Sequence, residues 1–284
     1  MKLCRFQKGP QVRVGLIAES GMIHDLTEAG VTELAPLLEL ENVEAKLRPL
    51  ITPKLPQFHV SYVRMLPPVE RQEVWAVGVT YLRSKTARME ESDFSATAYD
   101  KVYDAPRPEL FFKSMPEKVV GTGDTVGIRR DAKWNVPEPE LALVLNSRGK
   151  IAGYTVGNDM SSRDIEGENL LYLPQAKIYD RSCALGPFIR VGATEEEARG
   201  WNIDIEIWRE ERLVFRDDTS IGRIKRTFSE MAEYLFRSQT FPHGAVLLTG
   251  TGVVPKDDFT LQVGDGIRIE ISGIGILDNN VVAV

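Results

Sequence analysis

Three carboxylates stand out for their spacing. Glu138 and Glu140 flank Pro139 and lead into the apolar run Leu141-Ala142-Leu143-Val144-Leu145. Side chains in a strand alternate between faces, so Leu141, Leu143 and Leu145 would share one face and the two glutamates the other. That arrangement sets the carboxylates roughly 7 Å apart and pointing the same way. Like charges held so close need a cation or a proton between them. Asp159 follows Glu140 by nineteen residues, just past a β-like run at 151–156 and an Asn-Asp turn. A strand, a Gly-Lys turn and a returning strand would bring Asp159 back beside the pair. Three carboxylates without His or Cys suit a hard divalent cation, Mg2+ first, with Mn2+ or Ca2+ as alternatives. The same Pro-Glu-Pro-Glu stretch also suits a solvated turn, since exposed glutamate is the commonest kind.

The whole chain bounds what such a site could serve. Its 284 residues can bury a substantial core, and 43% hydrophobic with 27% charged residues is ordinary for a globular protein. A net charge of −6 argues against a nucleic-acid partner. No apolar run approaches a membrane span, and the N-terminus MKLCRFQKG lacks the apolar region of a signal peptide. Cys4 and Cys183 make neither a disulfide framework nor a zinc cluster, which fits a reduced, cytoplasmic setting.

The elements around the carboxylates read as many short strands and few helices. Residues 2–6, 12–18 and 22–26 alternate as strands, and 31–40 looks helical, continued by 42–50. Four prolines at 53–68 suggest a linker, which divides the chain into a small N-terminal α/β domain at 1–70 and a larger one at 71–284. Residues 73–79 form the next strand, and 82–92 a charged helix. Residues 107–113 read as a strand led by an acid and closed by a base. Gly121-Thr122-Gly123-Asp124 lacks the ending of a phosphate loop and is a plain turn. Residues 183–191 look like a strand broken at Gly186-Pro187. Thr194 caps a short helix, 202–208 and 212–216 form a hairpin around Glu210-Glu211, and 226–237 is an amphipathic helix. Closing strands fall at 245–249, 264–271 and 275–284. Gly250-Thr251-Gly252 follows a strand and reads as a turn whose amides could also meet an anion. The sum is a β-rich α+β protein.

With these residues in place, the chain resembles the fumarylacetoacetate hydrolase family over roughly residues 70–284. Members carry Glu-x-Glu on a strand, here Glu138-Pro139-Glu140. A Gly-Tyr-Thr-x-x-Asn-Asp-x-Ser-x-Arg-Asp stretch follows, here from Gly153 to Asp164, and a late Thr-Gly-Thr, here Thr249-Gly250-Thr251. The resemblance implies a mixed β-sandwich roll that binds Mg2+ (or Mn2+, Ca2+) through Glu138, Glu140 and Asp159. Asp164 and Glu166 would then be structural or helix-capping. Members are usually dimers or dimers of dimers, so a homodimer or homotetramer is expected.

Within the family the chain is most similar to a branch that dehydrates 2-keto-3-deoxy sugar acids. The stretches 101–109, 137–142 and 171–179 carry that similarity. It implies that Glu109 and Lys177 are catalytic. Tyr81, Arg83, Ser84 and Thr251 are the expected substrate contacts, with Arg83 ranked before Arg88 and Arg107 because it follows Thr80-Tyr81 at a strand end. Hydrolytic members usually hold a His shortly after the first strand of the domain. Ser84 stands there in this chain, and His24, His59 and His243 match no such motif. The expected substrate is a small 2-oxo acid, with neither nucleic acid nor membrane as partner. The expected reaction is Mg2+-dependent water loss, with Lys177 and Glu109 as base and acid in either order. A Mg2+-dependent hydrolase of acylpyruvates or a decarboxylase of oxaloacetate is the alternative.

Overall fold

The computed structural model describes residues 1–83, 101–256 and 258–284. The charged helix expected over 82–92 falls almost wholly outside them. Strands dominate, as expected. The larger sheet has eleven strands and is mixed. Its middle is formed by Cys183–Val191, Ile151–Asp159, Pro139–Leu145, Ala245–Leu248, Glu73–Gly78 and Glu109–Ser114, in that spatial order. A second sheet holds Arg212–Ser220, Asn202–Arg209, Gly266–Ile271, Gly275–Ala283 and Thr125–Ile128.

Alternation explains how the two sheets pack. Leu141, Leu143, Leu145 and Val156 form one face of the large sheet, and Ile203, Ile205, Ile267 and Ile269 one face of the small sheet; all belong to a single buried cluster. Helix Phe228–Phe236 adds Phe228, Met231 and Leu235 to it, its start fixed by Thr227 accepting from Glu230 N. The opposite face of the large sheet carries Ala142, Leu185, Val246 and Leu248 in another cluster. Glu140 points to that second side, because it alternates with Leu141.

Several elements differ from the sequence reading. Residues 31–40 shorten to helix Ala35–Leu38, and a fresh helix, Val43–Leu47, begins where Asn42 accepts from Ala45 N. The proline-rich stretch at 53–68 supplies two short strands, Gln57–His59 and Arg64–Leu66, to the large sheet. Strand Lys2–Lys8 pairs with Cys183–Val191 through Leu3 and Ile189, so the large sheet runs on into the first seventy residues. Those residues also keep a cluster of their own around Leu16, Leu26, Leu38 and Leu47, closed by Val144, Ile189 and Val191. Cys183–Val191 is continuous through a cis Gly186–Pro187 bond rather than broken there. The turn at Glu210-Glu211 has both residues at positive φ, which matches the twist of a two-residue hairpin. No described helix is long and apolar enough to cross a membrane.

Leu143 is fully buried between the sheets, whereas Leu213 is 44% exposed on an edge strand. Leu143→Ala is expected to lower stability by about 2–5 kcal/mol in urea titration. Leu213→Ala should change it by less than about 0.5 kcal/mol. Equal losses would contradict the inter-sheet position of Leu143.

Candidate metal centre and active site

The three carboxylates converge. Glu138 immediately precedes strand Pro139–Leu145, Glu140 lies within it, and Asp159 ends strand Ile151–Asp159. These strands are antiparallel neighbours, with Glu140 opposite Gly157 and Asp159 N donating to Glu138 O at 3.0 Å. The pairing puts all three side chains on one face. One carboxylate oxygen from each lies within 4.8 Å of the others. Glu138 is 3% exposed and Glu140 and Asp159 are each 1% exposed. Gly157, opposite Glu140, lets Leu248 pack close against the strand, since a Cβ there would stand 2.3 Å from Leu248 Cδ2.

Buried cations meet two of the three. Lys177 closes helix Leu173–Lys177, and its Nζ donates to Glu138 Oε2 at 2.6 Å, Asp159 Oδ2 at 2.8 Å and Ser161 Oγ at 2.6 Å. Arg163 opens helix Arg163–Glu168 and donates from Nη2 to Glu138 Oε1 at 2.8 Å. Lys113 forms a salt bridge to Asp159 Oδ1. Glu140 instead accepts from the Gly250 amide at 2.6 Å. Its carboxyl is pushed well above the usual carboxylate range, first by burial and then by the charges of Asp159 and Glu138; Lys177 and the Gly250 amide oppose this. All the ligand atoms are oxygens, so the set fits a hard divalent cation.

A cavity opens over these groups. Its walls include Val77, Val79, Phe111 and Thr251, and Glu109, Glu166 and Lys177 reach into it. Glu109 lies opposite Gly78 in the sheet, and a Cβ at Gly78 would fall 2.1 Å from Glu109 Oε2. The glycine thus makes room for the carboxylate. Val79 has φ of 52°, a left-handed conformation that a β-branched residue adopts only under strain. Burial pushes the Cys183 thiol, in register with Asp159, up to about 12, so it is no thiolate nucleophile.

The structure brings together Glu109, Glu138, Glu140, Asp159, Lys177 and Thr251. The Tyr81 ring packs in the inter-sheet core beside Gly252, within reach of the Glu140 charge. Arg83 is half exposed and pairs with Asp217 at 2.7 Å and Val254 O at 3.3 Å, so it is not on the cavity wall. Ser84 lies outside the described residues. Asp164 is structural, accepting from Lys133 N at 2.6 Å. Glu166 lines the cavity and is more than a helix cap. Sequence reasoning missed Lys113 and Arg163. The signal for Arg163 was its place in the Asn-Asp-x-Ser-x-Arg-Asp stretch, and for Lys113 its same-face spacing from Glu109 along one strand.

Residues 73–282 match the family model described as fumarylacetoacetate (FAA) hydrolase C-terminal. The chain belongs to this family. Among its relatives, a probable 2-keto-3-deoxyxylonate dehydratase of Haloferax volcanii is 49% identical over 217 residues, 76% of this chain and 74% of that one. A 2-dehydro-3-deoxy-D-arabinonate dehydratase of Saccharolobus solfataricus is 42% identical over 226 residues, 78% of this chain and 76% of that one. A solved structure of 2-keto-3-deoxy-D-arabinonate dehydratase complexed with magnesium and 2,5-dioxopentanoate superposes with a TM-score of 0.84 at 34% identity, covering 100% of this chain and 99% of that one. The mixed β-rich roll expected from the sequence is therefore the fold of the fumarylacetoacetate hydrolase family.

Two outcomes follow from this geometry. Gly250 has φ of 84°, and a Cβ there would meet Thr80 Oγ1 at 2.3 Å and Val77 O at 2.9 Å. Gly250→Ala is expected to lose more than the roughly 1–2 kcal/mol of the left-handed conformation alone, measured by urea unfolding; an unchanged midpoint would contradict this backbone. The second concerns pH. The Glu140 pKa is raised, so in metal-free protein its contribution to stability is present below the ordinary carboxylate range and is lost as pH rises through the raised value. A divalent cation must expel that proton to bind. The gain in Tm on adding Mg2+ should be small in mildly acid buffer and larger in mildly alkaline buffer. A gain independent of pH would show that Glu140 is not a ligand.

Proposed function

We propose that this chain is a Mg2+-dependent dehydratase of 2-keto-3-deoxy sugar acids, with 2-keto-3-deoxy-arabinonate, giving 2-oxoglutarate semialdehyde, as the representative substrate. The observation that carries this reading is that Lys177 and Glu109 reach into one cavity with Glu138, Glu140 and Asp159. The solved dehydratase that shares the fold was captured with magnesium and 2,5-dioxopentanoate, which supports the same chemistry here. Glu138, Glu140 and Asp159 would hold the ion. Bound there, Mg2+ supplies positive charge against the negative charge that develops on a 2-oxo acid as its C3 proton leaves.

The chain's own groups do the rest. Lys177 takes the C3 proton as the neutral amine, after its ammonium has first given up one proton to solvent; its Nζ stands beside two of the three metal carboxylates. Ser161 Oγ and the two carboxylates fix that amine in place. Glu109 gives a proton to the C4 hydroxyl, which departs as water. The apolar walls Val77, Val79 and Phe111 keep bulk water from the reacting atoms. All three histidines lie away from the cavity: His24 and His59 are on N-terminal strands and His243 lies beside Pro242 and Glu33. A hydrolytic water would therefore lack its usual base. Assembly as a homodimer or homotetramer belongs to this reading and is supported by the exposed cross-strand pair Trp208 and Leu213. Two free, buried cysteines support a cytoplasmic setting.

The test is turnover of 2-keto-3-deoxy pentonates, 2-keto-3-deoxy hexonates, acylpyruvates and oxaloacetate, each with Mg2+ and with EDTA. Water loss from a deoxy sugar acid, abolished by EDTA, is expected; turnover of acylpyruvate or oxaloacetate alone would sink the dehydratase reading. Lys177→Met should lower kcat by about 10^2–10^4. An unchanged kcat would remove Lys177 from the chemistry.

A further inference from the structure

Strand Glu109–Ser114 does more than deliver Glu109. By alternation Glu109, Phe111 and Lys113 follow one another on one face, and the first two line the cavity. The neighbouring strand pairs Trp75 with Phe112 and Val74 with Ser114, which leaves Lys113 without a register partner. The bulge breaks the regular pairing at Lys113 while alternation keeps its side chain on the cavity side. Lys113 is fully buried. Its Nζ meets Asp159 Oδ1 as a salt bridge and donates to Met160 O at 2.9 Å and Lys177 O at 2.5 Å. The Tyr179 ring closes over it, 5.9 Å from the ring centroid.

One ammonium has three donors, and here each of its partners matters. The first is Asp159 Oδ1, met as an ion pair. The second is the main chain directly after Asp159. The third is the main chain of Lys177 itself. With Oδ1 fixed in this way, Oδ2 is the oxygen left to face Lys177 Nζ. We propose that Lys113 is a positioning residue that sets the metal ligand Asp159 and the base Lys177 relative to each other. This rests on the proposed function above.

A simpler role for a buried lysine is to neutralise nearby carboxylates. The two roles predict opposite signs. Removing a mere counter-charge leaves the carboxylates more negative and tightens divalent binding. Removing a positioning group lets Asp159 turn and weakens it. The experiment is calorimetric titration of Mg2+ into wild type, Lys113→Met and Lys113→Arg, with near-ultraviolet circular dichroism to confirm folding. Lys113→Arg keeps the charge, but its planar fork cannot copy the tetrahedral reach of the ammonium, so the inference holds a test even where Lys113→Met fails to fold. Both variants are expected to bind Mg2+ about 10–100-fold more weakly. At saturating Mg2+ they should show lowered kcat for the deoxy sugar acid with KM little changed, because the base is displaced while the substrate contacts remain. Unchanged or tighter Mg2+ binding by a folded variant would overturn the inference. Wild-type protein that takes up no Mg2+ would overturn the proposed function, and this inference with it; where the wild type binds normally, a loss in the variants is due to Lys113 alone.

Discussion

The interaction on which the structure depends is the burial of three carboxylates against one another. Each ionised carboxylate removed from water costs several kcal/mol unless it is paired and hydrogen-bonded. Glu138, Glu140 and Asp159 are nearly inaccessible and close enough to repel. Such a cluster persists only where rigid backbone holds it and cations answer it. The backbone is the antiparallel pair Pro139–Leu145 and Ile151–Asp159, locked from behind by the inter-sheet core. The cations are Lys113, Arg163 and Lys177, drawn from one strand and two helices.

The origin of those cations explains the local architecture. Arg163 and Lys177 sit near the two ends of the stretch that runs from Ser162 to Ile178, and both point back to Glu138. The carboxylates therefore pin this stretch at both ends, while its middle carries Leu171 at 83% exposure. Short helices of five or six residues could not stand alone in water. Here their order comes from charge held at their ends. Glu166 enters the cavity as a consequence, carried by a helix whose first residue is already fixed.

Much of this is legible in the sequence, and the rest is hidden for physical reasons. Period-two alternation after Glu138 reveals both the strand and its acidic face, and the Gly149 turn implies the return of Asp159. Thr194 ahead of three acids marks a helix start, and the apolar spacing over 226–237 marks a second helix; the structure has both. The stretch at 53–68 reads as a linker because prolines bounding strands and prolines in a linker look alike in composition; only pairing partners far along the chain, Met22–Asp25 and Lys2–Lys8, distinguish them. The side on which Tyr81 lies is not legible in the sequence, because residues at a strand end can turn to either side; in the structure its ring packs beside Gly252. Lys113 escapes notice because a lone lysine closing a strand reads as a solvated end, and nothing local in the sequence shows that Asp159 lies across from it.

The distribution of positive charge also bears on why a metal belongs here at all. Three side-chain cations formally balance three carboxylates, so a divalent ion would look superfluous. The balance is uneven. Lys177, Arg163 and Lys113 are directed at Glu138 and Asp159, whereas Glu140 is met by the Gly250 amide, with no side-chain cation bonded to it among the described residues. An amide dipole is a weaker answer to a buried charge than an ammonium; burial first, and then the charges of Asp159 and Glu138, push the Glu140 carboxyl well above the usual carboxylate range. The Gly250 amide keeps its aim only because that residue is a glycine in a left-handed conformation. The corner of the cluster beside Glu140 is thus the least neutralised, and it faces the cavity. Glu140 is the one carboxylate of the three with no side-chain cation bonded to it among the described residues, and a cation entering from the cavity supplies there what the side chains withhold.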